Sequence, residues 1–528
     1  MTRRPSSSRP QRARLALSLL LALPALAGAA SWTQVTQPAP GSTETMLLLT
    51  DGTVMVHTYD RPGKAWFQLA PSATGSYVDG SWSMLPDMGT GRLYFASHVL
   101  PSGNVWVLGG EYSDPNLSPT WTRTGETFDT LNRRWAAITP HPEAQYGDVP
   151  SMLLDKNRIL AGSLSGRGSF YYDIAKNTWS LAATKVYNDQ SDEESWVKLP
   201  DGTILTYDIF QSITTGGAYA EVFDPATSLW TGRSPSDGTA SGNIPQLSSS
   251  AVGFELGAAL NLRGKGKASS VFVIGATGHT ATYSPTTRTW KPGPDIIGTL
   301  PDGRQVLFGA DDAPAAVLPN GHVIFAADAG PSAGVFSGPT QLFDYDPAAN
   351  TITPQLPALP VALSGSSYEL RLLVLPTGQV AISTGSNAVW ILTPDGTPNP
   401  KFKPVVSSVT YNGAGSFTLK GRQLNGSSAG ASYGDDAEMD ENYPILSLKD
   451  AASGNVWYTR TSDWSTTGIA PKKAEKVNFT LKAGTPAGTL VLTASGAGVA
   501  ADPICLTLTA DMVAGTGVAA SVPLFACP

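Results

Sequence analysis

The stretch VKLPDGTILTY, residues 197–207, consists of two apolar runs on either side of Pro200-Asp201-Gly202. The proline ends the first run, and the Asp-Gly pair can adopt the positive φ angles that a tight hairpin requires. The stretch therefore predicts two short antiparallel strands. Six similar stretches occur, at residues 47–56, 98–110, 152–160, 316–326 and 373–383 and, in a degenerate form, at 259–274.

A second motif follows most of these hairpins and predicts two further strands for each. An aromatic residue, usually followed by Asp, ends the third strand, and an apolar residue six positions after the Asp opens a fourth, outer strand. The copies are Phe128-Asp129 with Trp135, Tyr172-Asp173 with Trp179, Phe223-Asp224 with Trp230, Tyr283-Ser284 with Trp290 and Tyr345-Asp346 with Ile352. Together with Gly109-Gly110, the pattern resembles the kelch repeat. Seven units predict an all-β, seven-bladed kelch-type β-propeller.

The last unit lacks its outer strand, because Trp390 to Leu392 runs directly into a Pro-rich segment. Residues 31–35, SWTQV, are similar to the outer strands, so we expect the N-terminal segment to complete the seventh blade and close the ring. The predicted propeller spans residues 30–400. Charged residues are only 15% of the chain, beside 54 Gly and 41 Pro, which favours short strands and turns over helices.

The hairpin repeat ends after the propeller. Residues 401–510 contain seven short strand candidates, which predicts an immunoglobulin-like β-sandwich. Residues 511–528 form a small, apolar tail. The only cysteines, Cys505 and Cys527, could tie this tail to a preceding strand in an oxidising compartment.

The first 29 residues predict a secretory signal peptide, since five arginines precede a short apolar run and the small residues Ala27-Gly28-Ala29. No later segment predicts a membrane span. The net charge of −7 makes nucleic acid a poor partner. We therefore expect a secreted or periplasmic, monomeric protein.

A secreted kelch propeller followed by a sandwich resembles the galactose oxidase and glyoxal oxidase group of copper-radical enzymes. The stretch GRQLNGSSAGASYGDDAEMDENYPILSL, residues 421–448, is similar to the glyoxal oxidase side of that group. The resemblance implies one copper ion on the propeller axis, bound by two tyrosines and two histidines, with one tyrosine cross-linked to a cysteine. One of the histidines belongs to a loop of the sandwich.

The matching positions in this chain carry other residues. Tyr368 retains the family's tyrosine, but Glu369 stands where the adjacent histidine belongs, and Phe95-Ala96 stands where the cysteine belongs. No histidine follows His322, so the sandwich loop at residues 459–468 cannot supply one. A copper-radical site needs those ligands. The sequence therefore argues against copper.

Acidic residues occupy the start of several inner strands, the part of a propeller that lies nearest the axial mouth. These candidate metal ligands are Asp148, Glu193, Asp312 and Glu369, with Glu44, Glu194 and Glu255 close to equivalent positions. Carboxylates gathered at one mouth repel one another unless they share a cation, for which Ca²⁺ is the first choice, or take up protons. The alternative is a solvated rim in which each acid bonds to a nearby backbone amide.

Aromatic residues near the same mouth suggest a ligand wall. Tyr94, Phe95 and Tyr368 could contact a sugar ring or another small polar ligand, with Glu194 beside them. Asp463 and Trp464, in the sandwich loop, could form a lid over the mouth, or Trp464 could instead anchor the sandwich to the propeller.

No familiar nucleophile, zinc or phosphate-binding motif is present, so catalytic residues are not assigned. The favoured function is a binding module for carbohydrate or a small polar ligand. The alternatives are an oxidoreductase of the copper-radical oxidase fold with an altered site and a glycan-active enzyme that uses paired carboxylates.

Overall fold

A computed structural model describes residues 29–113, 115–233, 244–262, 270–428, 431–432, 442–471 and 473–527. The predicted signal peptide therefore lies outside the described residues, except for its last one. The described helices are short: Asp60–Gly63, Ile209–Thr215, Gly330–Ala333 and Ala510–Ala514, with 3-10 turns at Ser367–Glu369 and Pro400–Phe402. None of these helices has the length and hydropathy that crossing a bilayer requires.

Seven four-stranded antiparallel blades form the propeller, which confirms the predicted all-β fold. In each blade the two strands of the repeated hairpin lie nearest the axis, and both of their faces are buried except at the half-buried Met152 and Arg158 of blade 3, in agreement with their continuous apolar runs. From the inner to the outer strand, the blades are Met46–Leu48, Val54–His57, Trp66–Ala70 and Ser81–Met84 (blade 1); Ala96–Val99, Val105–Leu108, Gly125–Asp129 and Arg134–Ala137 (blade 2); Ser151–Leu153, Arg158–Ala161, Gly168–Asp173 and Thr178–Thr184 (blade 3); Val197–Lys198, Ile204–Tyr207, Ala220–Asp224 and Leu229–Arg233 (blade 4); Ala259–Asn261, Val271–Ile274, Thr280–Ser284 and Thr289–Pro292 (blade 5); Ala315–Val317, Val323–Asp328, Thr340–Asp346 and Thr351–Pro354 (blade 6); Arg371–Val374, Val380–Ser383, Trp390–Thr393 and Ser31–Gln34 (blade 7).

Blade 7 takes its outer strand from the N-terminal segment, where Trp32 is opposite Leu392 in the antiparallel register. A small extra hairpin, Ile297–Thr299 with Gln305–Leu307, connects blades 5 and 6. Because the first and last strands of the propeller segment, Ser31–Gln34 and Trp390–Thr393, pair in one blade, the ring of blades closes without a free end.

Tryptophans of the outer strands join neighbouring blades. The indole Nε1 of Trp135 donates to the carbonyl of Pro86, 2.9 Å away, and that of Trp179 donates to the carbonyl of Thr139 at 2.8 Å. Trp82 bonds to the Gln37 carbonyl in the same way at 2.9 Å. In these three blades the ring fills the space between blades while its polar atom is bonded, whereas the Nε1 of Trp290 in blade 5 is buried without a hydrogen-bond acceptor.

A separate β domain follows the propeller, as the sequence predicts. Its strands belong to one continuous sheet, because Val456–Ser462 pairs with Ile445–Lys449 through its first half and with Glu475–Thr480 through its second. This continuity departs from a plain immunoglobulin-like sandwich. The other strands of this sheet are Val405–Gly413, Ser416–Arg422, Gly488–Gly496, Val499–Ala500, Ile504–Leu508, Ala520–Val522 and Leu524–Phe525.

The C-terminal tail belongs to this sheet. Ala520–Val522 pairs with Val405–Gly413 at one edge, and Leu524–Phe525 pairs with Ile504–Leu508 at the other. A disulfide between Cys505 and Cys527, 22 residues apart in sequence, fixes the end of the tail. In the chain-entropy model a loop of this length contributes roughly 3 kcal/mol to the free energy of unfolding.

The propeller has two distinct ends. We call the end where the innermost strands begin the entry end, and the end where the turns after those strands lie the turn end. The C-terminal domain binds the turn end. The backbone N–H of Asp463 donates to the Pro101 carbonyl at 2.6 Å, and the Thr467 hydroxyl donates to the Leu154 carbonyl at 2.6 Å. Ala431–Ser432 also pairs with the inner strand of blade 6, Ala315–Val317. The C-terminal domain therefore covers the end opposite the predicted mouth.

Candidate functional site

A cavity of about 500 Å³ opens at the entry end of the propeller axis. Residues from the starts of the inner strands and from the loops after the second strands line it. We call this space the axial cavity. Its lining residues are Leu93, Tyr94, Glu111, Tyr112, Leu117, Asp148, Glu193, Glu255, Asp312, Phe336 and Tyr368.

Four lining residues share an unusual backbone conformation. Tyr94, Asp148, Glu193 and Asp312 precede the inner strands of blades 2, 3, 4 and 6, with φ of 51°, 54°, 61° and 48°. Residues other than glycine adopt positive φ infrequently, at a cost of about 1–3 kcal/mol each. The same strained turn therefore recurs in four blades, immediately before each inner strand begins.

Carboxylates from three blades form the acidic part of the axial cavity. One carboxylate oxygen from each of Glu193, Glu255 and Asp312 lies within 4.8 Å of the other two. A second group, formed by Asp148, Asp192 and Glu193, meets the same limit. Ca²⁺ binds oxygen at about 2.3–2.6 Å, so two ligands of one ion are at most about 5 Å apart. Either group could hold a hard cation, and no Lys or Arg is among the described residues that line the cavity.

Asp148 is held by a specific contact. It is buried, and the indole Nε1 of Trp121 donates to its Oδ2 at 2.7 Å. The backbone N–H of Glu193 donates to the Asp148 carbonyl at 2.8 Å, which ties blade 3 to blade 4 at the entry end. These bonds restrict the position of both acids.

Tyrosines form the opposite wall. The ring of Tyr94 makes edge contacts with Tyr112 at 5.8 Å and with Tyr368 at 6.2 Å between centroids. Behind it, the guanidinium of Arg371 lies 5.6 Å from the Tyr94 ring centroid, and the Tyr59 hydroxyl lies 3.2 Å from that of Tyr94. Burial raises the pKa of Tyr112 to about 12 and that of Tyr94 further, so both phenols are neutral at physiological pH. The wall therefore offers aromatic edges and neutral hydroxyls.

The structure brings together six of the residues proposed from sequence, namely Tyr94, Tyr368, Asp148, Glu193, Glu255 and Asp312, and places Glu369 elsewhere. Glu369 is exposed and lines a separate groove beside Ser366 and Thr384. Glu255, half-buried, completes the carboxylate group in its place.

Phe95 and Glu194 also lie away from the axial cavity. Phe95 is fully buried and packs edge-on against His57 at 5.0 Å between ring centroids. Glu194 is fully buried in an ion pair with Lys185. Both side chains belong to the interior of the propeller.

Trp464 anchors the C-terminal domain, which corrects the lid hypothesis. Its ring is only 2% exposed and stacks on Tyr443 at 5.1 Å, and the Tyr443 hydroxyl donates to the Leu48 carbonyl in blade 1. Asp463 bonds to Pro101 at the same end. Because the turn end is opposite the axial cavity, neither side chain can cover the mouth.

The axial cavity does not fit the copper site that the resemblance implies. All five histidines lie elsewhere, and both cysteines form the disulfide. Carboxylate and phenol oxygens suit hard cations, whereas a Cu(II) site of this type depends on imidazole. The histidine contacts are His57 with the Gly63 carbonyl, His98 with Ser151, His141 with Trp179, His279 with Asp295 and His322 with Asp344.

Sequence reasoning missed Glu111, Tyr112, Leu117 and Phe336. They follow the second strands of blades 2 and 6 in loops that return to the entry end. The signal was available, because antiparallel pairing places the end of every second strand beside the start of the first. The residues Glu111-Tyr112 directly after Gly109-Gly110 could have been found by this rule.

A buried acid behind the tyrosine wall gives a pH-dependent prediction. Glu44 is 4% exposed, and Arg371 lies 3.9 Å from its Oε2. Burial, which outweighs Arg371 and Tyr59, raises its pKa from 4.5 to about 7. Between about pH 4.5 and pH 7, Glu44 is therefore protonated in the folded state and ionised in the unfolded chain. The stability that this proton contributes is complete below about pH 4.5 and is lost as the pH rises through 7.

Glu44→Gln is therefore expected to flatten the pH dependence of stability. Between pH 5 and pH 8 the wild type should lose roughly 2–3 kcal/mol more unfolding free energy than the variant. Urea denaturation at the two pH values measures this difference, with Asp502→Asn as the control, because that side chain is 80% exposed and belongs to the C-terminal domain. Parallel pH curves for the wild type and Glu44→Gln would contradict the assignment.

Comparisons with known proteins give no family for this chain and only a distant structural likeness. No protein-family model matches the chain, and no curated protein is similar to it. One similar solved structure is a novel fungal alcohol oxidase with catalytic diversity among the AA5 family, in complex with copper. It is 15% identical, with a TM-score of 0.34, and the match covers 88% of this chain and 85% of that one. At this level of similarity the oxidase's copper chemistry is not transferred to this protein.

Proposed function

We propose that the axial cavity binds Ca²⁺ between Glu193, Glu255 and Asp312 and, through this ion, a small polar ligand such as a sugar. The observation that carries the proposal is the convergence of these three carboxylates from three blades in one cavity of about 500 Å³. Ca²⁺ requires several oxygen ligands that surround one point, and carboxylates from three different blades can supply them.

Charge supports the same proposal. The cavity lining contains five acids, Glu111, Asp148, Glu193, Glu255 and Asp312. Like charges this close favour any bound cation strongly. A divalent ion removes much of the repulsion while leaving coordination positions for ligand hydroxyls.

The tyrosine wall suits the second part of the ligand. Tyr94, Tyr112 and Tyr368 present aromatic surface and neutral hydroxyls opposite the acids. Sugar rings combine an apolar face with hydroxyl groups, so one sugar could contact the wall and coordinate the ion at once. The axial cavity, at about 500 Å³, is large enough for a small ligand but not for a folded protein. We further propose that the protein is a monomer and acts outside the cytoplasm. The disulfide supports the second point, because disulfides persist in oxidising compartments.

A glycan-active enzyme is the second candidate, favoured by the spacing of the acids. Carboxyl groups about 5–5.5 Å apart are typical of retaining glycosidases. Glu255 and Asp312, with oxygens within 4.8 Å, lie near that spacing. Release of sugar from glycoside substrates, lost in Glu255→Gln, would favour catalysis over binding alone.

Terbium luminescence tests the binding proposal. Tb³⁺ substitutes for Ca²⁺, and the cavity tyrosines should sensitise its emission. Asp312→Asn and Glu255→Gln are each expected to weaken this binding at least tenfold, because each removes one anionic ligand. Ca²⁺ should displace Tb³⁺ competitively, and glucose or glucosamine should bind only while Ca²⁺ is present.

Glu369→Gln is the matched control, since that carboxylate is exposed and outside the cavity. Its Tb³⁺ affinity should equal that of the wild type. Equal losses in Glu369→Gln and Asp312→Asn, or none in either, would overturn the proposal.

A further inference from the structure

A groove of about 300 Å³ lies beside the axial cavity at the same end of the propeller. Its walls are the segment before the inner strand of blade 7, residues 361–370, and the loop after the second strand, residues 384–388. We call this space the side groove. Tyr368 lines the axial cavity, and the next residue, Glu369, lines the side groove. One step along the chain therefore leads from one space to the other.

Hydrogen bonds fix both walls of the side groove. On one side, the Thr340 hydroxyl donates to the Gly365 carbonyl at 2.8 Å. On the other, the Thr43 hydroxyl donates to the Ser386 carbonyl at 2.7 Å, and the hydroxyls of Ser386 and Thr384 lie 3.0 Å apart. The groove is therefore formed before a ligand binds, which lowers the entropy cost of binding.

The carboxylate of Glu369 has a defined place in the side groove. A methyl group at position 365 would lie 2.2 Å from its Oε2 and 2.4 Å from its Oε1, so Gly365 leaves the room that this carboxylate occupies. The side chain is exposed, and a ligand can reach it. Trp390, half-buried, lines the same groove. An acid beside an indole suits a sugar, whose polar groups donate to the acid while an apolar ring face contacts the indole.

The charge at the entry end favours a cationic ligand. Five acids line the axial cavity, and with all of them ionised one Ca²⁺ offsets two of the five negative charges and leaves −3. Glu369 adds a further negative charge in the side groove. An ammonium group is attracted to such a surface, whereas the carboxylate of an acidic sugar is repelled. The ligand class that matches is therefore a sugar that carries amino groups.

We propose that the entry end binds a short chain of amino sugars, with one unit in the axial cavity and the next in the side groove. The ammonium group of the second unit pairs with Glu369, and its ring contacts Trp390. The volume of the side groove, about 300 Å³, is at the lower end of the range for ligand sites and suits one sugar unit. This inference rests on the proposed function and extends it from a single sugar to a chain.

Two sugar trimers that differ in charge test the inference. The β-1,4-linked trimers of glucosamine and of glucose have the same chain, but only the first carries ammonium groups at about pH 6.5. With Ca²⁺ present, calorimetry is expected to show that the wild type binds the glucosamine trimer about tenfold more tightly than either glucosamine or the glucose trimer. Equal affinities for the glucosamine trimer and glucosamine would overturn the inference, as would the absence of measurable trimer binding.

Two substitutions test the role of Glu369. Glu369→Gln removes the charge, whereas Gly365→Ala keeps it but places a methyl group where the carboxylate lies. The φ of Gly365 is outside the left-handed region, so alanine fits this backbone. Both variants should bind the glucosamine trimer within about threefold of glucosamine, with Tb³⁺ affinity as in the wild type. A tenfold trimer preference that persists in both variants would refute the inference.

Asp502→Asn is the matched control, since that acid is 80% exposed and belongs to the C-terminal domain, away from the entry end. It should keep the trimer preference, and a loss there as well would show a long-range charge effect and overturn the role of Glu369. The Tb³⁺ measurement separates this inference from the proposed function. If the wild type binds no Tb³⁺ but Glu369→Gln still weakens trimer binding about tenfold, the axial ion is refuted and the side groove stands.

Discussion

Replacing Trp464 with alanine is expected to lower the free energy of unfolding by about 3–5 kcal/mol, as usual for a buried tryptophan. The Trp464 ring is buried against Tyr443 and belongs to one apolar core that continues from blades 1, 2 and 7 into the C-terminal domain. Its removal leaves a cavity where the two domains meet. Thermal and urea unfolding measure the loss.

Asp463→Asn is the control, because that side chain is exposed in the same loop and asparagine tolerates its positive φ of 51°. It should change stability by less than about 0.5 kcal/mol. If Trp464 were a lid over the axial cavity, its replacement would alter ligand binding and leave stability unchanged. If Trp464→Ala left stability unchanged but altered binding at the axial cavity, the placement of the C-terminal domain at the turn end would be wrong.

Arg92→Met is expected to cost a similar 3–5 kcal/mol, because it leaves Glu126 as an unpaired buried charge. Arg92 is fully buried, and its guanidinium lies 2.9 Å from Glu126 Oε1. It also donates to the Gly109 carbonyl at 2.7 Å. Glu126 in turn accepts the Gly89 N–H at 2.8 Å, so the pair fixes the segment that ends at Tyr94.

The exposed pair of Arg61 and Asp87 provides the comparison, with a similar distance of 2.9 Å but about half of the arginine side chain in solvent. Arg61→Met should cost no more than about 1 kcal/mol. Chemical denaturation of both variants measures the difference. Equal effects would show that burial does not determine the contribution of the Arg92 pair.

The sequence predicts the blades because their signals are local. Asp201-Gly202 determines a turn within a few residues, and the tryptophan at Trp135 or Trp179 marks an outer strand by its own size and polarity. The position of the C-terminal domain depends instead on contacts such as Tyr443 with Leu48, which are 395 residues apart. No short-range pattern encodes such a contact.

The site is predictable only in part for the same reason. Asp148, Glu193 and Asp312 share a register before their inner strands, so counting from the turns identifies them. Glu369 has the same register, but a 3-10 turn at Ser367–Glu369 carries its side chain out of the cavity. The contrast between Glu193 and Glu194 likewise depends on a backbone conformation, the positive φ at Glu193, that composition does not reveal.

Anomalous scattering from crystals soaked with Tb³⁺ locates the ion in the axial cavity without reference to affinity. We expect a peak on the propeller axis within about 2.3–2.6 Å of oxygens from Glu193, Glu255 and Asp312. An axial cavity without a peak at saturating Tb³⁺, its acids bonded separately to backbone amides, would contradict it.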